Sequence, residues 1–256
     1  MRHSRALALA VCLTASAACS LALVSCRKSP ERVPEAASAR TSSVAERSTA
    51  TAAETLAATR AEGATSASAS LDSRPRVVFL GDSLTAGLGL AAENAYPNLV
   101  QQKLDADGLP FHVVNAGVSG DTSAGGVSRL DDALEGDVRV LVVALGGNDA
   151  LRGLPVEELS KNLSTIIERA QAKKIRVVLA GMEAPPNFGQ SYTDAFRGVY
   201  ADLAKRYRVQ TIPFLLQGVA GIERLNQRDG IHPTAEGARI VADNVWTVLH
   251  PMLKGT

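Results

Sequence analysis

A chain of 256 residues is long enough for one domain with a sizeable core, or for two small ones. A formal charge of +1 with no basic stripe excludes the electrostatic footprint of a nucleic-acid binder. The hydrophobic share of 46% is that of an ordinary globular protein, although part of it sits in the N-terminal leader and does not count toward a core.

The chain opens on Arg2, His3 and Arg5, followed by a run at 6–24 that is almost wholly apolar or small. Leu23-Val24-Ser25-Cys26 then has the form of a lipobox, in which the cysteine becomes the lipidated first residue of the mature protein. Two other readings stand beside it. One is an ordinary secretory signal cleaved after a small residue, and the other is an uncleaved anchor, since 6–24 is about long enough to span a bilayer. A leucine three residues before the cysteine, with small residues between them, favours the lipoprotein. The expected organisation is a lipoprotein signal peptide at 1–26 with Cys26 lipidated, a disordered tether at 27–73 and a folded domain at 74–256. The tether segment is rich in Ala, Ser, Thr, Glu and Arg and has no aromatic residue, so it buries too little apolar surface to offset its ordering entropy. Cys12, Cys19 and Cys26 all lie in the leader, so the domain has neither a disulfide nor a cysteine nucleophile.

From Arg76 onward strand and helix signals alternate. Strands are predicted at 76–80, 111–115, 138–145, 176–181 and 210–214, and helices at 94–106, 123–134, 155–173, 192–206 and 234–249. The strands are continuous Val/Leu/Ile runs rather than alternating ones, which suits parallel strands covered on both faces. Repeated β-α units imply an α/β fold, a three-layer α/β/α arrangement around a five-stranded parallel sheet. Flavodoxin-like order 2-1-3-4-5 places the ends of the first two strands side by side.

The polar blocks fall where strands end or helices begin. Gly81-Asp82-Ser83-Leu84 follows the first strand, which holds a serine hydroxyl out of the core beside a helix N-terminus. Asn115-Ala116-Gly117-Val118-Ser119-Gly120-Asp121 follows the second, Gly146-Gly147-Asn148-Asp149 follows the third, and Asp229-Gly230-Ile231-His232-Pro233 precedes the last helix. A serine needs a base to take its proton and a third group to orient that base. Of the four histidines, His3 is in the leader, His112 lies in a strand and His250 is expected at the solvated end of the last helix, leaving His232. Asp229, three residues earlier, either folds back to accept from His232 Nδ1–H or only caps the turn before Pro233. Asp82 is expected to hydrogen-bond the serine turn, and Asp149 to be structural. Residues 117–126 also read as a plain flexible loop, and Asn148-Asp149 as an Asx turn.

These four blocks, in this order, resemble the SGNH hydrolases, also called GDSL esterases, from about Arg76 to the C-terminus. The pattern is nearest to the bacterial thioesterase I / lysophospholipase subgroup. The resemblance implies Ser83, Asp229 and His232 as the catalytic triad. It also implies an oxyanion hole made by the backbone N–H of Ser83, the backbone N–H of Gly120 and the side-chain amide of Asn148. Glycine at 120 is expected to let the main chain approach the substrate closely. Ala150 departs from the subgroup, which carries glycine there, and its methyl is expected to stiffen a loop beside the acyl pocket. Residues 183–189 follow the fourth strand. Two prolines suggest a stiff wall in which Ala184, Pro185 and Phe188 line an acyl groove, as the matching region does in the subgroup. A loop rigidified only for stability is the other reading.

The α/β-hydrolase elbow G-x-S-x-G is absent, as are H-E-x-x-H and any Cys/His cluster, so no cofactor and no metal are expected. The expected function is a serine esterase acting on acyl esters of the lysophospholipid, aryl ester or thioester type through an acyl-Ser83 intermediate. Its expected setting is the periplasm or cell envelope, as a monomer lipid-anchored to a membrane, with small-molecule or lipid esters as partners and no nucleic acid. The alternatives are an esterase removing small acyl groups from envelope glycans, and a non-catalytic lipid- or glycan-binding lipoprotein on the same fold.

Overall fold

The computed structural model describes residues 73–255. The expected signal peptide at 1–26, Cys26 and the expected tether up to residue 72 lie outside the described residues. Five strands, β1 Arg76–Gly81, β2 His112–Gly117, β3 Val138–Ala144, β4 Arg176–Ala180 and β5 Gln210–Ile212, form one parallel sheet in the order β2-β1-β3-β4-β5. This is the predicted order, and its physical cause is visible in burial. Val77 to Leu80 of β1 and Val140 to Ala144 of β3 are at most 1% exposed, so neither face of the central strands meets water. The edge strands β2 and β5 are only partly buried.

The helices are α1 Ser83–Ala86, α2 Tyr96–Ala106, α3 Ser123–Ser128, α4 Leu130–Ala133, α5 Gly147–Leu151, α6 Val156–Ala172, α7 Gln190–Tyr207 and α8 Ala235–Lys254. One layer packs α2 against α8, and the other packs α6 against α3 and α7. Helix α6 shows why. Leu159, Leu163, Ile166, Ile167 and Ala170 recur at helical spacing and are buried as one stripe. Each large aliphatic on that stripe contributes roughly 1.5–3 kcal/mol on removal from water.

Several boundaries differ from the predicted ones. The segment read as a helix at 94–106 opens with a 3₁₀ turn, Ala92–Asn94, and α2 starts at Tyr96 with Pro97 in its first turn. The predicted 123–134 helix breaks at Arg129 into α3 and α4. Pro155 does not open α6 but caps it, with an extended ψ of 132°. Helix α8 continues past 249 through Pro251, because Leu249 and Leu253 stay buried and keep the last turn docked. Thr234 caps that helix, its side chain accepting from the Gly237 N–H.

The strand register brings the polar loops together. Gly81 of β1 pairs with Gly117 of β2 on one side and Ala144 of β3 on the other. The three loops carrying the serine, the Gly120 turn and Asn148 therefore leave the sheet from one level.

Candidate active site

Ser83 is placed by a turn that only glycine permits. A Cβ on Gly81 would lie 1.9 Å from Thr85 Oγ1, so the strand enters α1 without a side chain there. Asp82 caps α1, its Oδ1 accepting from the Leu84 N–H at 3.0 Å. This is the bond expected of Asp82. Its burial, at 3% exposure, pushes the carboxyl up to about 6, a rise only partly offset by the Leu84 bond.

Ser83 Oγ lies 2.8 Å from His232 Nε2, and His232 Nδ1 lies 2.7 Å from Asp229 Oδ2. A carboxylate only accepts, so Nδ1 carries the proton and Nε2 is left to accept from the serine hydroxyl. Asp229 Oδ1 accepts from the N–H groups of His232 at 3.0 Å and Ile231 at 2.9 Å. Those two backbone bonds, and then the imidazole, hold the carboxyl down at about 2. Asp229 thus does both things the sequence allowed: it closes the turn before Pro233 and orients the histidine. The turn is pinned by an antiparallel bridge between Asn226 and Pro233 and by Gln227 N–H to His232 O at 2.7 Å. Gln227 Nε2 also donates to Leu88 O at 2.7 Å, which ties the histidine loop to the segment after α1.

Asn148 lies in the first turn of α5, a short helix the sequence does not predict. Its Nδ2 donates to Asp121 O at 2.9 Å and, more weakly, to Asp82 Oδ2 at 3.3 Å. Asp149, next to it, is buried. It accepts from Ser123 N–H at 2.8 Å and Ser123 Oγ–H at 2.5 Å, a structural role as expected. Gly120 has φ +85°, and its carbonyl oxygen accepts from Arg152 Nη2–H at 2.8 Å. Among the described residues its N–H finds no backbone acceptor. Nothing but Arg152 Nη2, at 4.0 Å, approaches a Cβ built at 120, so the backbone conformation requires glycine and crowding does not.

A groove of about 360 Å³ opens beside these residues. Its lining includes Leu84, Leu151, Met182, Ala184, Pro185 and Ile231. Ala184 and Pro185 are walls of it, as expected. Ala150 is not: it is 0% exposed and packs in the core, so its methyl does not reach a ligand, and its neighbour Leu151 faces the groove instead. Phe188 is also displaced from the expected wall. Its ring lies 5.3 Å from that of Tyr192 and covers Gly153, where a Cβ would be 2.7 Å from Phe188 Cε1. His250 is not solvated either; it is half-buried, 2.8 Å from Asp107 Oδ2, and stacked on Trp246. The sequence does not mark Arg129, Arg152 or Gln227 as site residues, because their importance comes from tertiary placement and nothing local signals it.

A serine, an imidazole and a carboxylate in one hydrogen-bonded line, at the carboxyl edge of a parallel five-stranded sheet, define an α/β serine hydrolase. Residues 79–240 match the GDSL-like lipase/acylhydrolase family. The chain is 40% identical over 178 residues to Esterase TesA of Pseudomonas aeruginosa, a match covering 69% of this chain and 89% of the relative. It is 35% identical over 178 residues to thioesterase 1/protease 1/lysophospholipase L1 of Escherichia coli K12, covering 69% and 84% of the two chains. A crystal structure of TesA superposes with a TM-score of 0.67 at 40% identity, covering 69% of this chain and 98% of that one. The chain belongs to the GDSL-like lipase/acylhydrolase family, and it is an SGNH-type hydrolase of acyl esters.

Proposed function

We propose that Ser83 is the nucleophile, His232 the general base and Asp229 its orienting acceptor. The observation that carries this is the unbroken line from Asp229 Oδ2 through His232 to Ser83 Oγ. Ser83 Oγ attacks the ester carbonyl while His232 Nε2 takes its proton, giving a tetrahedral oxyanion. The N–H groups of Ser83 and Gly120 and the Asn148 amide receive that oxyanion, and Asn148 exchanges its long 3.3 Å bond to Asp82 for it. Collapse expels the alcohol, which takes the proton from His232, and leaves acyl-Ser83. Water then attacks the acyl group, His232 again accepts the proton, and the acid is released as Ser83 recovers its hydrogen.

The substrate is an ester with an apolar acyl group, of the lysophospholipid, aryl ester or thioester type. Two features support this. The groove beside the triad is mostly apolar, and the exposed large hydrophobics among the described residues, Leu88, Val118, Leu151, Phe188, Ile222 and Ile231, all lie on connections leaving strand carboxyl ends. The relatives are named for arylesterase, thioesterase and lysophospholipase activities. In this reading residues 1–26 are a lipoprotein signal peptide, Cys26 carries the lipid, 27–73 tether the domain and 74–256 form a monomeric hydrolase at the cell envelope. The lipobox form of Leu23-Val24-Ser25-Cys26 supports it. A p-nitrophenyl ester series from acetyl to palmitoyl tests the substrate claim. Rising kcat/KM beyond acetyl is expected, and strict preference for acetyl would favour the small-acyl alternative.

A further inference from the structure

Arg129 occupies the break between α3 and α4, where the chain leaves helical geometry. From there its guanidinium reaches three acceptors. Nη2–H donates to Gly81 O at 2.7 Å, Nη1–H to Ala116 O at 2.6 Å, and Nε–H to Asp121 Oδ2 at 2.5 Å. Gly81 O also accepts from the Val118 N–H at 3.0 Å, so one carbonyl two residues before Ser83 is tied to the loop carrying Gly120 directly by Val118 and indirectly through Arg129 and Asp121. The Asp121 main-chain oxygen in turn accepts from Asn148 Nδ2 at 2.9 Å, and its N–H closes the turn onto Val118 O at 3.1 Å. The local sequence makes room for this. A Cβ on Gly125 would lie 2.6 Å from Asp121 Oδ1, and one on Gly117 would lie 2.2 Å from Ala86 N.

We infer that Arg129 is a positioning residue for the oxyanion hole, clamping the ends of β1 and β2 and, through Asp121, fixing the Asn148 amide relative to Ser83. This rests on the assignment of Gly120 and Asn148 as oxyanion donors. The chemistry calls for arginine in particular. The pair is half-buried, with 21% and 19% of the two side chains exposed, and only a planar fork of five donors reaches two carbonyls and a carboxylate at once. A lysine at this site supplies charge but cannot span the three acceptors. Donor placement matters because a displacement of about 1 Å in a catalytic array costs on the order of 10²-fold in rate.

The test is a kinetic cycle on the full chain with a p-nitrophenyl ester, comparing Arg129→Lys, Asn148→Ala and the double variant, with thermal melts on each. The expected result for Arg129→Lys is a fall in kcat of about 10–10²-fold with KM within about twofold. In the double variant the Arg129 change should cost little more than Asn148→Ala alone, because its effect passes through the amide. Wild-type kcat in Arg129→Lys, or a fully multiplicative double variant, overturns the inference while leaving the oxyanion assignment standing. Wild-type kcat in Asn148→Ala instead removes the assignment itself. If Arg129→Lys does not fold, Asp121→Ala breaks the same link with the main-chain carbonyl intact. It should lower kcat in the same non-additive way, and unchanged kcat there overturns the inference.

Discussion

The nucleophile and three side chains around it make separable contributions. Ser83→Ala removes the attacking oxygen and should abolish ester hydrolysis while leaving the thermal melt near that of the parent, since the His232 loop it touches is also held by Asp229 and Gln227. Asn148→Ala removes a donor whose value lies in the transition state, so kcat should fall about 10²–10³-fold with KM little changed; a large rise in KM at normal kcat would make Asn148 a substrate-binding residue. Asp82 and Asp229 respond to pH in opposite senses. Asp229, held down at about 2, contributes stability that is present above its ordinary value of 3.8 and is lost as pH falls toward 2. Asp82, pushed up to about 6, binds its proton more tightly in the folded state. Stability from this group is therefore highest below 3.8, declines between 3.8 and about 6, and is flat above. Asp82→Asn keeps a capping oxygen and removes that decline, a gain of about 2–3 kcal/mol at pH 7 relative to pH 4 when compared with the parent. Urea unfolding at the two pH values measures it, and an unchanged pH dependence would mean the carboxyl is not the source.

Among the secondary-structure elements, the sheet carries the site and the helices carry the stability. Leu163→Ala on α6 creates a cavity in the fully buried stripe and should cost about 2–5 kcal/mol with kcat unaffected below the melting transition. Gly81→Ala is the opposite kind of change. Its Cβ would collide with Thr85 at 1.9 Å, and the displaced α1 should lose activity as well as stability. Elements with long apolar runs or strong caps are legible in the sequence. Strands β1 to β4 follow from Val-rich runs, and β5 and the order of the sheet from the β-α alternation, while the last helix starts at Ala235 against an expected 234. The break at Arg129 and the short helix Gly147–Leu151 are not, because each is set by tertiary bonds. Arg129 leaves the helix to reach Gly81, Ala116 and Asp121, and Asp149 anchors its helix onto Ser123.

For the whole molecule, the same division holds between what spacing reveals and what packing decides. Ser83 and His232 stand out because glycine-marked turns and a count of four histidines leave few choices, whereas Asp229 as their partner is implied by the family resemblance. The groove wall can be selected only in part, with Ala184 and Pro185 lining it as expected. Ala150 is buried and Phe188 leans on Tyr192, since burial depends on which helix passes overhead rather than on distance along the chain. On the proposed organisation, Cys26→Ala should block processing at this site and leave the apolar leader attached, and mass spectrometry of the mature N-terminus checks the assignment: an unmodified terminus downstream of Cys26 would mean a freely secreted enzyme. The proposed mechanism turns on a single serine carrying the acyl group, and the decisive check is peptide mapping after reaction with a fluorophosphonate probe. One modified peptide is expected, with the label on Ser83 and no labelling in Ser83→Ala; label on Ser119, or labelling that survives Ser83→Ala, would contradict the mechanism.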